Sequence, residues 1–315
     1  MAVRRLQNKI AESRWALPLT AVYGVAVVVA LGAVERQMWA QTLLLALSTL
    51  LMVELNNANA LIRIYSRMVS CSYLVLSLMA TFLFPSVSGG VVSMAFIAFY
   101  VFFFQSYQDK QAVGPIFASF LALGIASIPF VQILYFVPLL WLLMAIRLQS
   151  FSVRTLCASL LGIIAPYWFV AAYFIYLADY ETPLRHFSEL ARFSTFSLTD
   201  YPLTLNELVT LGFVVVLMMT GIIHGLRQRS KDKLRTQMIY ELMMIVALFA
   251  TVVLALQPQH CGFLLRILII HAAVFIGNFM SLTQTRATNI AFLLIIVATL
   301  AITAFNFISG SQPLF

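Results

Sequence analysis

Charged residues are scarce in this chain, and that scarcity decides its class. Only 10% of the residues are charged and 62% are hydrophobic, whereas soluble domains have about 25% charged residues. A soluble globular fold is therefore excluded. The ten-residue segments of alternating hydrophobicity that mark a transmembrane β-barrel are also missing. Helices remain, because they pair every backbone polar group internally in lipid.

Short catalytic motifs and paired cysteines are absent as well. The sequence holds no Walker phosphate-binding loop, no HExxH zinc motif, no GxSxG nucleophile elbow and no CxxC pair. Its three cysteines, Cys71, Cys157 and Cys261, do not suggest a disulfide framework and are expected to be structural thiols. The sequence therefore offers no candidate metal ligands, and the cofactor and any metal requirement stay open.

Long apolar runs are what the chain has in abundance. A hydrocarbon core about 30 Å thick needs roughly 20 helical residues. We therefore predict an all-α polytopic transmembrane bundle of about eleven spans, with residues 1–315 forming a single transmembrane domain. The first run is interpreted as an uncleaved helix rather than a signal peptide, because it is long and further spans follow. The predicted spans are residues 16–34, 40–59, 69–87, 91–105, 112–128, 130–146, 155–178, 207–225, 237–256, 262–282 and 288–308.

Basic residues outnumber acidic ones by nineteen to eleven, giving a net charge of +8. We expect no nucleic-acid partner, because lysine and arginine collect in the cytoplasmic loops of membrane proteins. With a cytoplasmic amino terminus, Arg36, Arg185 and Arg192 fall on the outer side and fifteen basic residues on the cytoplasmic side. This asymmetry predicts a multi-pass protein of the bacterial inner membrane with a periplasmic carboxyl terminus. The fifteen are Arg4, Arg5, Lys9, Arg14, Arg63, Arg67, Lys110, Arg147, Arg154, Arg227, Arg229, Lys231, Lys233, Arg235 and Arg286.

One long polar interval, residues 179–206, is predicted to be a periplasmic loop. Together with Glu207 it holds five of the eleven carboxylates. Thr182 is predicted to be an N-cap with Pro183 at the first helical position. Apolar and charged residues then fall on opposite faces, which is typical of an amphipathic helix in the membrane interface. Thr204 and Glu207 have the spacing of a capping box that opens the next span.

Two charged residues near the outer side have alternative interpretations. Glu35 is either part of an ordinary turn between two spans or a carboxylate near a periplasmic active site. Arg266 lies about one turn inside its span, where it either snorkels to the interface or binds the phosphate of a lipid diphosphate through paired donors. His260 lies on the same side, close in sequence to Arg266, and lacks a partner at metal-ligand spacing.

Residues 111–176 carry the one pattern that is similar to a known family. The segments FASFLALGIASIP and FVPLLWLLMAIRLQSFSVRTLCASLLGIIAPYWFVAAYFIY resemble the transmembrane core of polyprenyl-phosphate-dependent glycosyltransferases with the GT-C fold, and more loosely the O-antigen polymerases. The whole chain also resembles a family of bacterial inner-membrane proteins to which the resemblance assigns no activity. GT-C enzymes usually carry an acidic pair in a sizeable first periplasmic loop. Here residues 35–39 form that loop, with Glu35 alone.

This resemblance implies a glycosyltransferase or polymerase that uses a polyprenyl-linked sugar donor in cell-envelope glycan assembly. The expected partners are membrane lipids and a polyprenyl-phosphate-linked glycan. In this interpretation the general base is Glu35, Asp179 or Glu181. The candidate substrate-binding residues are Arg185, Arg192, His260 and Arg266.

Two other functions remain open at this point. A transporter or flippase would need intramembrane charges on facing helices, for which the candidates are Glu54, Glu241, Arg266 and His271. A non-enzymatic subunit of an envelope complex would suit the absence of a strong catalytic motif.

Overall fold

The computed structural model describes residues 5–192 and 203–310, and all the regular structure in those residues is helical. This agrees with the sequence, because each apolar run predicted above forms a helix or part of one. The α-helices are α1 Leu6–Ala11, α2 Ala16–Ala30, α3 Trp39–Asn59, α4 Met68–Met79, α5 Val87–Phe103, α6 Val113–Ser127, α7 Phe136–Ile146, α8 Val153–Tyr176, α9 Glu181–Ser188, α10 Leu205–Gln228, α11 Leu234–Leu256, α12 Cys261–Leu282 and α13 Arg286–Gly310.

Short 3₁₀ turns extend or join several of these helices. They are Thr81–Leu83, Phe104–Ser106, Val131–Tyr135, Glu189–Ala191, Arg229–Lys231 and Pro258–His260.

Within the described residues, seven helices, some with their adjoining 3₁₀ turns, are long and apolar enough to cross a membrane, namely α3, α5, α8, α10, α11, α12 and α13. Four further apolar stretches, Ala16–Ala30, Met68–Met79, Val113–Ser127 and Val131–Ile146, are shorter. The seven long helices and the four shorter stretches lie at the eleven predicted positions. Only seven of the eleven predicted spans are therefore long enough to cross a membrane. The difference arises because irregular turns interrupt apolar sequence that hydropathy alone reads as continuous.

The third predicted span, residues 69–87, shows such an interruption. Helix α4 ends at Met79, and the chain then passes through the turn Thr81–Leu83. Ser88, Gly89 and Gly90, which fall between two predicted spans, lie in the first turn of α5. Ser86 is the N-cap, and its hydroxyl accepts a hydrogen bond from the Gly89 amide at 3.0 Å. The N-cap serine, Ser86, therefore marks the start of α5, and the two glycines do not.

Helix α12 lies at the centre of the bundle and is almost entirely buried. It packs against α4, α5, α10 and α11. Its neighbour α5 contributes a dense aromatic face, whose rings are Phe96, Phe99, Tyr100 and Phe103. By contrast, α8 exposes large apolar side chains such as Phe169 (81%) and Tyr176 (87%). Surface of this kind suits lipid rather than water.

The tightest helix pair, α6 and α8, depends on glycine. A methyl group added at Gly162 would lie 2.6 Å from the carbonyl oxygen of Phe117, and one at Gly124 would lie 2.7 Å from that of Ile163. The backbones therefore touch directly, as small residues allow in membrane helices.

Hydrogen bonds and ion pairs join several helix ends and connections, and they define two ends of the bundle. We call one the basic end, because contacts there join Arg235 to Asn59 and the Phe104 carbonyl, and Arg147 to Glu241. Helix α1 closes this end. Gln7 donates to the Met280 carbonyl at 2.6 Å and to the Thr283 hydroxyl at 2.7 Å, and Asn8 donates to the Thr283 carbonyl at 3.2 Å. We call the other end, which carries α9, the α9 end.

Candidate functional site

Arg266 projects from α12 near the α9 end and makes its closest contact with backbone. Its guanidinium donates to the carbonyl oxygen of Leu83, in the turn before α5. The side chain occupies space that is open only because residue 89 is glycine, since a methyl group there would overlap the guanidinium. None of the ion pairs among the described residues includes Arg266. Its positive charge is therefore balanced by dipoles rather than by a carboxylate.

A cavity of about 30 Å³ lies beside this guanidinium, and we call it the Arg266 pocket. It is polar for a site inside an apolar bundle, because hydroxyl groups from α3, α4 and the start of α5 face it. Ser48, Tyr73 and Ser93 are buried, while Ser86 and Gln41 lie towards the outside. The polar residues lining it are Gln41, Ser48, Tyr73, Ser77, Ser86, Ser93 and Arg266.

Several of these polar groups are held in place by backbone contacts. Gln41 donates its amide to the Pro85 carbonyl at 3.0 Å, and Ser93 donates its hydroxyl to the Gly89 carbonyl at 3.0 Å. Because Ser93 has already donated its proton, the donors that the pocket offers are the Arg266 guanidinium and the remaining hydroxyl groups, those of Ser48, Tyr73, Ser77 and Ser86. Such a set fits a negatively charged group.

The hydroxyl residues of the pocket were missed in the sequence interpretation, although they carry a signal. Gln41 and Ser48 are seven residues apart, Tyr73 and Ser77 are four apart, and Ser86 and Ser93 are seven apart. Each spacing places both side chains on one face of a helix. Polar residues repeating at helical spacing in an apolar span indicate a shared polar face.

Glu35 lies at the same end but does not contact Arg266. It is exposed in the turn after α2, and no ion pair between the two residues is present. The turn that holds Glu35 is nevertheless linked to the pocket by packing. Ala33 in that turn belongs to the same hydrophobic cluster as Phe84, and Phe84 lines the Arg266 pocket.

The structure uses Asp179 to start α9. Its carboxylate accepts hydrogen bonds from the amides of Glu181 and Thr182, each at 3.1 Å, and from the Thr182 hydroxyl at 2.6 Å. The hydrogen bonds from Thr182 are the main reason that the pKa of Asp179 lies below its ordinary value. The prediction that Thr182 is the N-cap is wrong, because α9 begins at Glu181 and the capping oxygen comes from Asp179.

Helix α9 is attached to the bundle by contacts with α6, α8 and the turn Val131–Tyr135. His186 Nε2 lies 3.1 Å from the Ser127 carbonyl oxygen, and Phe187 packs against Tyr167 with ring centroids 5.2 Å apart. Tyr135 donates its hydroxyl to the Leu190 carbonyl at 2.6 Å. These contacts hold α9 against the side of the helical bundle.

The other predicted site residues lie around α9 and not at the Arg266 pocket. Glu181, Arg185 and Arg192 are exposed. His260 is partly buried against Phe130, with ring centroids 5.6 Å apart. The structure therefore brings the predicted residues to one end of the bundle without assembling them into a single constellation.

The four residues proposed for a transport path occupy separate places. Glu54 is exposed on α3. His271 is buried in the middle of α12, where Nδ1 lies 2.7 Å from the Ile267 carbonyl and Nε2 lies 2.8 Å from the Tyr100 hydroxyl. Because a carbonyl can only accept, Nδ1 carries a proton. These groups do not converge with Arg266 or Glu241 on a common cavity.

Glu241 instead joins three segments at the basic end. Arg147, after α7, lies 2.6 Å from one carboxylate oxygen, and Arg229, after α10, pairs with the other. Nearby, Arg63 lies 3.8 Å from Asp232. Burial raises the pKa of Asp232 above its ordinary value, and the charge of Arg63 opposes that rise. These ion pairs therefore connect the loops at the basic end to one another and to α11.

Across the described residues, no group of three histidine, cysteine or acidic side chains is placed to hold a metal ion. Comparison of the chain with protein-family models, curated proteins and solved structures gives no match.

Proposed function

We propose that this chain is a multi-pass protein of the bacterial inner membrane that binds the phosphate of a lipid-linked substrate at the Arg266 pocket. The observation that carries the proposal is a guanidinium without a carboxylate partner, facing a set of hydroxyl groups between helices. The resemblance of residues 111–176 to GT-C glycosyltransferases supports a substrate linked to a polyprenyl phosphate. It also supports a role in cell-envelope glycan assembly.

The size of the pocket determines how such a substrate sits. A volume of about 30 Å³ is close to the share of one water molecule in the liquid. It therefore takes the terminal oxygens of a phosphate and not a sugar. Gln41 and Ser86, towards the outside, meet the remainder of the group, and the lipid chain stays in the membrane.

Glu35 is the preferred general base within this proposal. Asp179 uses its carboxylate to cap α9, and Glu181 is exposed at the start of that helix. The turn holding Glu35 packs against Phe84 of the Arg266 pocket. Transfer of a sugar is supported by the family resemblance alone, whereas phosphate binding is supported by the geometry.

Binding of polyprenyl phosphate to the purified protein tests the proposal. We expect the wild-type protein to bind polyprenyl phosphate better than the uncharged polyprenol, and Arg266→Gln to bind it at least about tenfold less well, because a hydrogen bond to a charged group is lost. Arg36→Gln, which changes an exposed arginine at the same end, is the matched control. Equal binding of the phosphate and the alcohol would contradict the proposal, as would competition by chloride but not by inorganic phosphate.

A second pair of variants separates the pocket from the charge itself. Gly89→Ala keeps Arg266 but forces its guanidinium to move, so phosphate binding should fall. Gly114→Ala, where the added methyl group meets open space, should bind like wild type. Glu35→Gln should bind phosphate normally and lose sugar transfer, and retained transfer would exclude Glu35 as the base.

A further inference from the structure

An apolar cavity lies between the helices towards the basic end, and α4 separates it from the Arg266 pocket. Its volume is about 300 Å³, and its walls come from α1, α2, α4, α10, α12 and α13. Almost all of the lining is hydrocarbon. On α2 the lining residues run from Ala16 to Tyr23, and on α13 from Phe292 to Leu300.

These runs determine the length of the cavity. Helical runs of eight and nine residues rise about 10 to 12 Å, which is most of one leaflet of a hydrocarbon core about 30 Å thick. A cavity of this length with an almost wholly hydrocarbon lining suits a single acyl chain.

Basic residues lie close in sequence to the cavity's lining residues on the side of the basic end. Lys9 precedes the lining residue Ile10, and Arg67 precedes the lining residue Met68. Arg14 lies two residues before Ala16, and Arg286 opens α13 on the same side. Lys9, Arg14 and Arg286 are exposed and Arg67 is partly buried, and the acidic residue nearest to them in sequence is Glu12. Charge complementarity therefore selects an anionic headgroup.

We infer that this cavity binds one acyl chain of an anionic phospholipid whose headgroup lies among Lys9, Arg14, Arg67 and Arg286. The lipid belongs to the leaflet at the basic end, and its tail fills the space between α2, α4 and α13. Thr20 and Tyr23, the polar residues on α2, are satisfied within the protein. Thr20 donates to the Ala16 and Leu17 carbonyls, and Tyr23 bonds with Thr303 at 3.0 Å. The wall therefore presents hydrocarbon to the tail.

Native mass spectrometry of the full-length protein in detergent tests this inference, with phosphatidylglycerol and phosphatidylcholine of identical chains as probes. We expect one phosphatidylglycerol to be retained in preference to phosphatidylcholine. Each arginine near the surface contributes about fivefold in affinity, so Arg14→Gln with Arg67→Gln should weaken phosphatidylglycerol binding about 25-fold. Arg154→Gln, an exposed arginine at the start of α8 that does not line the cavity, should leave it unchanged.

Filling the cavity distinguishes a bound tail from charge at the surface. Val75→Trp and, separately, Leu300→Trp place a large side chain in the cavity. Either variant that keeps the wild-type melting temperature should lose the retained phospholipid. Retention of phosphatidylglycerol by such a variant would overturn the inference, and equal retention of the two phospholipids by the wild-type protein would also overturn it. Neither outcome bears on phosphate binding at the opposite end.

Discussion

The carboxylate of Asp179 accepts three hydrogen bonds in the first turn of α9, and this use competes with a role as a general base. A base must be free to take a proton, whereas this carboxylate is stabilised in its ionised form. Residue type and position made Asp179 a candidate, but its local partners favour a structural role.

The pKa of Asp179 gives a pH-dependent prediction. The folded-state pKa lies below the ordinary value, so the capping contribution is present above the unfolded pKa and is lost as pH falls through the folded pKa. We expect the amides of α9 to become less protected in hydrogen exchange, corrected for intrinsic rates, as pH falls through the acidic range. Asp179→Ala should give the unprotected behaviour already at neutral pH. Glu181→Gln is the control, and equal loss of protection in that variant would contradict the assignment.

Arg266 shows which part of a site the sequence can predict. A lone arginine inside an apolar span is conspicuous, so the sequence alone makes Arg266 a candidate for phosphate binding. The sequence does not predict its neighbours in the pocket, because Ser48, Tyr73 and Ser93 come from three different helices. Helical spacing shows that each lies on a polar face, but only helix packing shows that the three faces meet.

Helices α6 and α8 owe their contact to glycine, which makes their separation sensitive to one methyl group. Gly162→Ala should lower the free energy of unfolding by about 1–3 kcal/mol, because the methyl group would press on the Phe117 carbonyl. Gly212→Ala in α10 meets open space and should be neutral or stabilising by up to about 1 kcal/mol. Unfolding in mixed detergent micelles measures both, and similar values for the two variants would contradict the close packing.

The pairing of Glu241 with two arginines links α11 to the segments after α7 and α10. Glu241→Gln should destabilise the protein by on the order of 2 kcal/mol, because two guanidiniums lose their partner. The value is below that of a fully buried pair since Arg147 and Arg229 are 32% and 49% exposed.

A double-mutant cycle with Arg147→Gln checks the Glu241 assignment. The two changes together should cost less than the sum of each alone, because Arg147→Gln removes one of the partners that Glu241→Gln would leave unpaired. Glu54→Gln, on an exposed side chain of α3, is the control and should be near neutral. Simple additivity in the cycle would show that the pair does not couple.

Most helices were predictable because apolar runs and caps are local properties of the sequence. The capping box of Thr204 and Glu207 is confirmed, and α10 begins at Leu205. The break after Met79 and the start of α5 at Val87 were not predicted. Both lie within apolar sequence, where packing against neighbouring helices decides whether the chain continues or turns.

The whole molecule separates its charges. Among the described basic residues, Arg36, Arg185, Arg192 and Arg266 lie towards the α9 end, and the others lie at the basic end. The described carboxylates are divided equally between the two ends, five at each, so the asymmetry is one of basic residues. Under the positive-inside rule, this asymmetry supports a cytoplasmic basic end.

Cysteine labelling tests that orientation. Ser230→Cys at the basic end and Ser188→Cys on α9 change exposed residues, in a background where the exposed native Cys157 is replaced by serine. In bacterial cells with a permeable outer membrane, an impermeant maleimide should label residue 188 directly and residue 230 only after the inner membrane is opened. The reverse pattern would contradict the proposed topology.

The bonds from Gln7 to Met280 and Thr283 have a consequence for how the protein is made. The partners of Gln7 lie 273 and 276 residues further along the chain. At a synthesis rate of about 5–20 residues per second, the amino-terminal helix waits roughly 15 to 55 seconds for them to leave the ribosome. Throughout that interval its buried amide groups must remain hydrated or be shielded by the insertion machinery. This segment, synthesised well before its partners, is thus among the last to reach its final position.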